Sequence, residues 1–366
     1  MISRDEILKI LSKYDEHGLK IATICSHSAL QIFHGARMEG LETLGIALPS
    51  TKPYYESFSL AKPDDFIIVE DYRKILREDL QKRLIEENAL IIPHGSFVEY
   101  VGAGNILEKF YVPMFGNRLT LYWESDRERQ YEWIMEAGLP HPKRYYSPEE
   151  IDKLVIVKLC GAKGGSGYFK TSSTSEFYSK IAELRRKKII GEDSGYIIEE
   201  FIPGVRLYPH FFFSPIREPN LISLPYGSLE ILGMDRRLEV IDEIHRGLPE
   251  TIEDFLDFTV VGNTPVVVRE KLIIDILEMS SKIIQASRKL FHPGLIGPFC
   301  IEVMYHPEKG FKIFEISTRI VAGTNLYPYG SPYSYYYYNE PMSMGRRIAR
   351  EIKEAIKIGK LGELVY

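Results

Sequence analysis

The residues best suited by type and spacing to do chemistry are a lysine beside a glycine-rich turn, two acids inside apolar strands and two histidines at strand ends. Lys158 lies in LVIVKLCGAKGGSGYFK, where a β-branched apolar run leads into Gly161, Gly164, Gly165 and Gly167. Glycine takes positive φ and carries no side chain, so such a turn lets backbone N–H groups close on an anion. A lysine projecting from the strand beneath adds a point charge, and a polyphosphate is the natural partner. Glu302 in GPFCIEVMY and Glu315 in GFKIFEIS each interrupt an apolar run, where an unpaired carboxylate is costly to bury. Pairing of those strands would set both acids on one face, and hard oxygen ligands so placed suit Mg²⁺ bridging the phosphates of a nucleoside triphosphate. Neutralisation of the acids by Arg319 or another cation is the alternative.

The elements around these residues set what they can reach. The glycine stretch is not G-x-x-x-x-G-K-[ST], and YFKTSSTSEF after it reads as a second strand and a helix cap near Ser175. It is therefore a hairpin with a glycine tip, either a lid over a nucleotide or a plain turn. The helix Ser175 to Ile190 leads into GYIIEEFIPG, a strand with adjacent Glu199 and Glu200. Such a strand could offer backbone groups to an adenine edge and a carboxylate to its amino group, or could be an edge with solvated acids. RLYPHFFFSP and GSLEILGMDRRLEV read as antiparallel strands carrying Glu230, Asp235, Arg236 and Arg237, the arginines gripping phosphate or facing solvent. Asn325, after Gly323 and Thr324, could complete the metal site or reach a substrate.

The first third of the chain reads as alternating strands and helices, after an opening helix over residues 2–17. The strand Leu19 to Cys25 ends at Ser26-His27-Ser28, and LIIPHGSFVEYVG ends at His94-Gly95-Ser96-Phe97. In an open α/β sheet, ligands bind at the carboxyl ends of strands. Two such ends each presenting a histidine with a hydroxyl residue could hold a polar substrate, or a phosphate if protonated. Ser28 as a plain helix cap is the alternative. A domain boundary is expected near residue 125, before the helix around Tyr131, Ile134 and Met135. The tail, with Tyr335 to Tyr338 and MSMGRRIAREIKEAIKIG, reads as packing or a subunit contact.

At 366 residues, with 45% hydrophobic and 27% charged residues, the chain has the composition of a folded protein of two or three subdomains. Its net charge of −5 gives no general attraction for nucleic acid. No apolar run spans a membrane and the amino terminus has no signal-peptide core, so a cytoplasmic site is expected. Cys25, Cys160 and Cys300 lack metal-site spacing and read as buried thiols.

In this order of elements the chain resembles the ATP-grasp superfamily and, within it, the archaeal PurP family of formate-dependent FAICAR synthetases. The likeness runs through SHS, PHGSF, PMFGNR, GAKGGSGYF, GMDRR, GNTPVVVRE, GPFC, AGTN and EPMSMGRRIAREIK, almost the whole chain. It implies an α/β fold of ATP-grasp architecture: an N-terminal parallel α/β domain binding substrate (1–125), then two α+β lobes enclosing the nucleotide. These are a small lobe with the lid (126–205) and a C-terminal lobe with the metal-binding acids (206–366). The activity implied is ligation of formate to AICAR ribonucleotide through formyl phosphate, with ATP and Mg²⁺, Mn²⁺ being the alternative ion. The resemblance also implies a homo-oligomer, a hexamer being one form, with no nucleic-acid or membrane partner. Carried over by position, His27, Ser96 and Asn263 would contact AICAR ribonucleotide, while Arg127 and Lys158 would hold phosphates under the turn of Gly164, Gly165 and Gly167. Glu199, Glu200, Ile202 and Glu230 would hold adenosine, and Glu302 and Glu315 the metal. Lys163 and Ser166 stand where the family often has arginine, Val321 where it commonly has an acid, and Arg127 where many ATP-grasp enzymes have lysine. A paralogue ligating another small carboxylate to an amine, and a catalytically weak nucleotide-binding regulatory subunit, are the alternative readings.

Overall fold

The computed structural model describes residues 1–159, 168–217, 228–239 and 260–366, and they form three sheets in chain order. The first is parallel, in the order β3-β2-β1-β4, from β1 (Lys20–Ile24), β2 (Glu42–Ala47), β3 (Asp65–Ile68) and β4 (Ala89–Ile91). β1 and β2 are buried along nearly their whole length, as strands covered by helices on both faces must be. The chain steps outward from β1 to β3 and then returns to β4 on the other side of β1. That reversal opens a crevice at the carboxyl ends of β1 and β4, where His27 and His94 emerge. The opening helix is shorter than its apolar pattern predicts, Arg4–Leu11, begun by a Ser3–Glu6 capping box and followed by a turn of tighter helix at Glu16–Gly18.

The second sheet is antiparallel, in the order β5-β8-β6-β7, from β5 (Arg144–Tyr145), β6 (Val155–Leu159), β7 (Tyr168–Thr171) and β8 (Tyr196–Glu200). Strand alternation puts Val155, Val157 and Leu159 into a core with Phe169, Phe177 and Ile198, which leaves Ile156 and Lys158 on the opposite face. Helix Thr174–Arg186, capped by Ser173, closes that core. The turn with Gly161, Gly164, Gly165 and Gly167, along with Lys163 and Ser166, lies outside the described residues.

The third sheet is also antiparallel, in the order β11-β10-β9-β12-β13, from β9 (Val205–Phe213), β10 (Leu229–Glu239), β11 (Val260–Pro265), β12 (Gly297–His306) and β13 (Gly310–Ser317). Phe211, Phe299, Ile301, Val303 and Ile313 bury one face against Ile276 and Ile283 of helix Glu270–Leu290. Each such side chain contributes about 1.5–3 kcal/mol. The residues between them, including Tyr208, Asp235, Arg237, Cys300 and Glu302, therefore belong to the other face, and a bulge at Phe314 brings Glu315 opposite Glu302 on it.

The carboxyl-terminal segment crosses back to the first sheet. Helix Met344–Lys357 lies against helix Ala29–Met38 at a pair of glycines: a Cβ on Gly345 would sit 2.1 Å from the Gln31 carbonyl oxygen, and one on Gly35 2.1 Å from the Arg346 nitrogen. Only glycine permits that approach. Tyr366 N–H then bonds the Gly116 carbonyl at 3.0 Å. The tail thus ties the amino-terminal sheet to the third sheet within one chain.

Candidate active site

The free face of the third sheet and the facing side of β6 and β8 enclose a cleft of about 370 Å³, and Lys158, Glu302 and Glu315 all line it. Glu302 and Glu315 are direct partners across the β12–β13 ladder, with a register shift immediately after Glu302. Like charges set opposite each other repel. Glu302 is compensated by Arg237 at 2.5 Å, whose guanidinium lies 3.9 Å over the Tyr208 ring. Glu315 makes no ion pair among the described residues and its side chain is exposed in the cleft; crowding by protein groups and then Glu302 push its carboxyl up to about 7, against the pull of Arg237 and Lys158. The acid pair is therefore short of one positive charge. No third His, Cys, Asp or Glu joins it among the described residues. Two carboxylates fit Mg²⁺ that takes its other oxygens from phosphate and water, the usual arrangement for that ion.

On the opposite wall Lys158 Nζ contacts Glu199 at 2.6 Å, and the other oxygen of Glu199 meets Arg144 at 3.4 Å. Arg144 stacks 3.9 Å over Tyr131 and pairs with Glu128 at 2.6 Å, which fixes the start of helix Arg127–Glu136 against β8. Glu200 meets Lys312 at 2.5 Å and Lys153 at 3.2 Å. Burial would raise its pKa, but Lys312, the Lys143 N–H and Lys153 outweigh that and hold it down to about 2. Both carboxylates assigned to adenosine are thus already engaged by cations. Ile202, with Ile156, Met304 and Ile313, supplies apolar wall suited to a flat heterocycle. Arg127 lines the rim, exposed and without an ion pair among the described residues.

Glu230 lies elsewhere. It is 2% exposed, sits against the carboxyl-terminal helix rather than in the cleft, and is bound by Arg347 Nε at 2.7 Å, by the Tyr338 hydroxyl at 2.7 Å and by Arg217. Its expected place with the adenosine does not follow from these contacts, because its oxygens are already neutralised inside the protein.

At the crevice of the first sheet the His27 and His94 rings stack 5.5 Å apart, and His27 holds a left-handed φ of 50°. His94 Nε2 lies 3.0 Å from the Ile24 carbonyl, which only accepts, so Nε2 carries the hydrogen. Burial, then Arg319 and Arg237, push His27 down to about 4; burial, then His27, push His94 down to about 3. Both shifts favour neutral rings near pH 7, suited to hydrogen bonding with a polar group. Ser96 lies in the first turn of helix Gly95–Val101. Arg319 pairs with Glu124 at 2.9 Å instead of with Glu302 or Glu315, and its Nη1 comes 3.4 Å from where a Gly95 Cβ would stand. It links the cleft, which Glu124 also lines, to the His27 crevice. Asn263 on β11 pairs with Arg237 on β10. Asn325 accepts from Gln31 at 2.7 Å and has no part in the acid pair. Val321 packs with Tyr208 and Cys300.

Sequence reading missed Arg144 and Tyr208 and left Arg237 undecided. The alternation from Asp235 to Arg237 could have turned Arg237 inward, but nothing local marked Arg144.

A family described as "Protein of unknown function (DUF1246)" matches residues 21–145, and one described as "Domain of unknown function (DUF1297)" matches residues 176–366. The 5-formaminoimidazole-4-carboxamide-1-(beta)-D-ribofuranosyl 5'-monophosphate synthetase of Korarchaeum cryptofilum is 64% identical over 366 residues, covering 100% of both chains. The crystal structure of an IMP biosynthesis protein PurP from Thermococcus kodakaraensis superposes with a TM-score of 0.72 at 33% identity, over 94% of this chain and 100% of that one. The ADP complex of an N5-carboxyaminoimidazole ribonucleotide synthetase superposes at a TM-score of 0.63 and 13% identity, over 91% of this chain and 76% of that one, a likeness of fold alone. With its ATP-grasp fold and a full-length relative at 64% identity, the chain belongs to the family of 5-formaminoimidazole-4-carboxamide ribonucleotide (FAICAR) synthetases, the PurP family.

Proposed function

We propose that this chain is an ATP-dependent carboxylate–amine ligase that joins formate to the 5-amino group of AICAR ribonucleotide, giving FAICAR, ADP and phosphate in purine biosynthesis. The observation that carries this reading is the convergence of Lys158 from one lobe with Glu302 and Glu315 from the other in a single cleft. A formate oxygen attacks the γ-phosphorus of ATP, the bond to ADP breaks, and formyl phosphate results. The aromatic amine then attacks the formyl carbon, phosphate leaves and the nitrogen loses a proton. Formate is a poor acyl donor until activated, so the protein must hold three reactants together and keep water away.

Each side chain then has a defined task. Lys158 and Arg127 would neutralise charge spreading over the transferred phosphoryl oxygens. Glu302 and Glu315 would hold Mg²⁺, which when bound supplies Lewis-acid charge at those oxygens. The neutral imidazoles of His27 and His94 would serve as hydrogen-bonding walls for the acceptor, with Ser96 and Asn263 beside it. Arg319, between the two pockets, would face the carboxylate in transit. Small molecules are the partners we propose, in the cytoplasm, and the working form is a homo-oligomer.

Steady-state assays test this reading directly. With Mg²⁺ supplied, ADP release should require AICAR ribonucleotide and formate together. ADP release that continues unchanged when either is omitted would overturn it.

A further inference from the structure

The amide of Asn263 has only one polarity open to it. Its side-chain nitrogen lies 2.7 Å from Asp235 Oδ2, while Asp235 Oδ1 lies 2.6 Å from His210 Nε2. A carboxylate only accepts, so the half of the amide that faces Asp235 is the NH₂, however the amide is drawn. His210 agrees: its Nδ1 is buried without a partner among the described residues, so the ring donates through Nε2. Asp235 is itself locked. It is 1% exposed, and a Cβ at position 323 would come 2.0 Å from its Oδ1, so Gly323 is what lets the turn Ala322–Leu326 close over it. Asn263 pairs with Arg237 across the β10–β11 ladder, on the face that Arg237 shares with the cleft. With its NH₂ held by Asp235, its Oδ1 takes no hydrogen bond from the described residues.

We propose that Asp235 is a positioning residue which fixes Asn263 with its carbonyl oxygen toward the acceptor pocket, so that the site presents an acceptor to an N–H of the amine–carboxamide edge of its substrate. The proposal rests on the ligase reading above and adds to it a direction of hydrogen bonding. A site built to accept an N–H discriminates when its polarity is reversed, since a donor then faces a donor once substrate covers it.

The test is a polarity swap. In D235N the new amide takes the hydrogen bond from His210 on its oxygen and must donate to Asn263, which turns the Asn263 NH₂ toward the substrate. The double variant D235N/N263D restores the polarity: the amide at 235 donates to the carboxylate at 263, whose second oxygen faces the pocket. We expect D235N to raise KM for AICAR ribonucleotide about tenfold or more, a factor worth about 1.4 kcal/mol, with KM for ATP unchanged. The double variant should return to within about threefold of the parent. N263D alone sets two carboxylates face to face and should be worse than the double. Calorimetric titration with AICAR ribonucleotide gives the same comparison without turnover, and thermal melts show that each variant is folded. An unchanged KM in D235N, or a double variant no better than D235N and N263D, overturns the proposal. Absence of AICAR ribonucleotide binding to the parent protein overturns the substrate reading instead.

Discussion

The surroundings of Glu230 and of Glu315 both place a carboxylate among apolar strands, and they treat it in opposite ways. Glu230 is met by Arg347, Arg217 and the Tyr338 hydroxyl, and Arg347 is shared with Glu351 at 2.8 Å. Glu315 faces Glu302, whose one close cation, Arg237, is already spent on Glu302. The first cluster is complete and joins the carboxyl-terminal helix to β10; the second is left with negative charge at the mouth of a cleft. Burial of an acid is therefore not the mark of a site. The mark is a carboxylate that stands exposed in the cleft without an ion pair among the described residues, as Glu315 does.

That contrast can be broken first at Glu315. Glu315→Gln should cut ADP formation about 10³-fold or more, since it removes a ligand for charge that builds in the transition state. In EDTA its thermal midpoint should be no lower than that of the parent, because the substitution relieves like-charge repulsion. A midpoint several degrees lower would show that the acid was compensated after all.

Arg347→Met probes the complete cluster. It leaves Glu230 and Glu351 uncompensated and should cost about 3–5 kcal/mol in a denaturant melt, with KM for ATP unchanged in the folded enzyme. A cost below about 1 kcal/mol would place Arg347 among the surface pairs. Lys158→Met should lower ADP formation about 10²-fold through lost phosphate contact. It should leave KM for AICAR ribonucleotide near that of the parent, and a selective rise in that constant would place Lys158 at the other pocket.

The smallest effect concerns the stacked histidine pair, in which His94 is buried and His27 keeps an exposed edge. Both rings refuse protons that the unfolded chain accepts below its ordinary value of 6.5, so the unfolded state binds more protons there. Stability is thus present above that pH and falls as pH drops toward about 4, where His27 titrates in the folded state. His27→Asn should flatten this slope in pH-dependent melts. An unaltered slope would mean that His27 titrates alike in the folded and unfolded chain.

Much of this was legible along the chain. The alternation in VIVKL predicts a lysine turned away from the core of its strand, and the acids at 302 and 315 predict a charged face on paired strands. SHS and PHGSF mark two strand ends of one parallel sheet. The place of Glu230 was not legible, since LEILG looks much like IFEIS until Arg347 is seen against it. Nor was the charge state of His27, which depends on burial and on Arg319 and Arg237 arriving from distant strands.

The sequence by itself determined which residues share a face, because strand and helix periods are properties of neighbours along the chain. It also determined the fold class, through the order of those periods. Only the tertiary structure decided which charges are cancelled, because that depends on partners far apart in the chain, as with Glu230 and Arg347, 117 positions apart. Electrostatic compensation acts through space, and it is what separates an acid that holds the protein together from one left open for a metal ion.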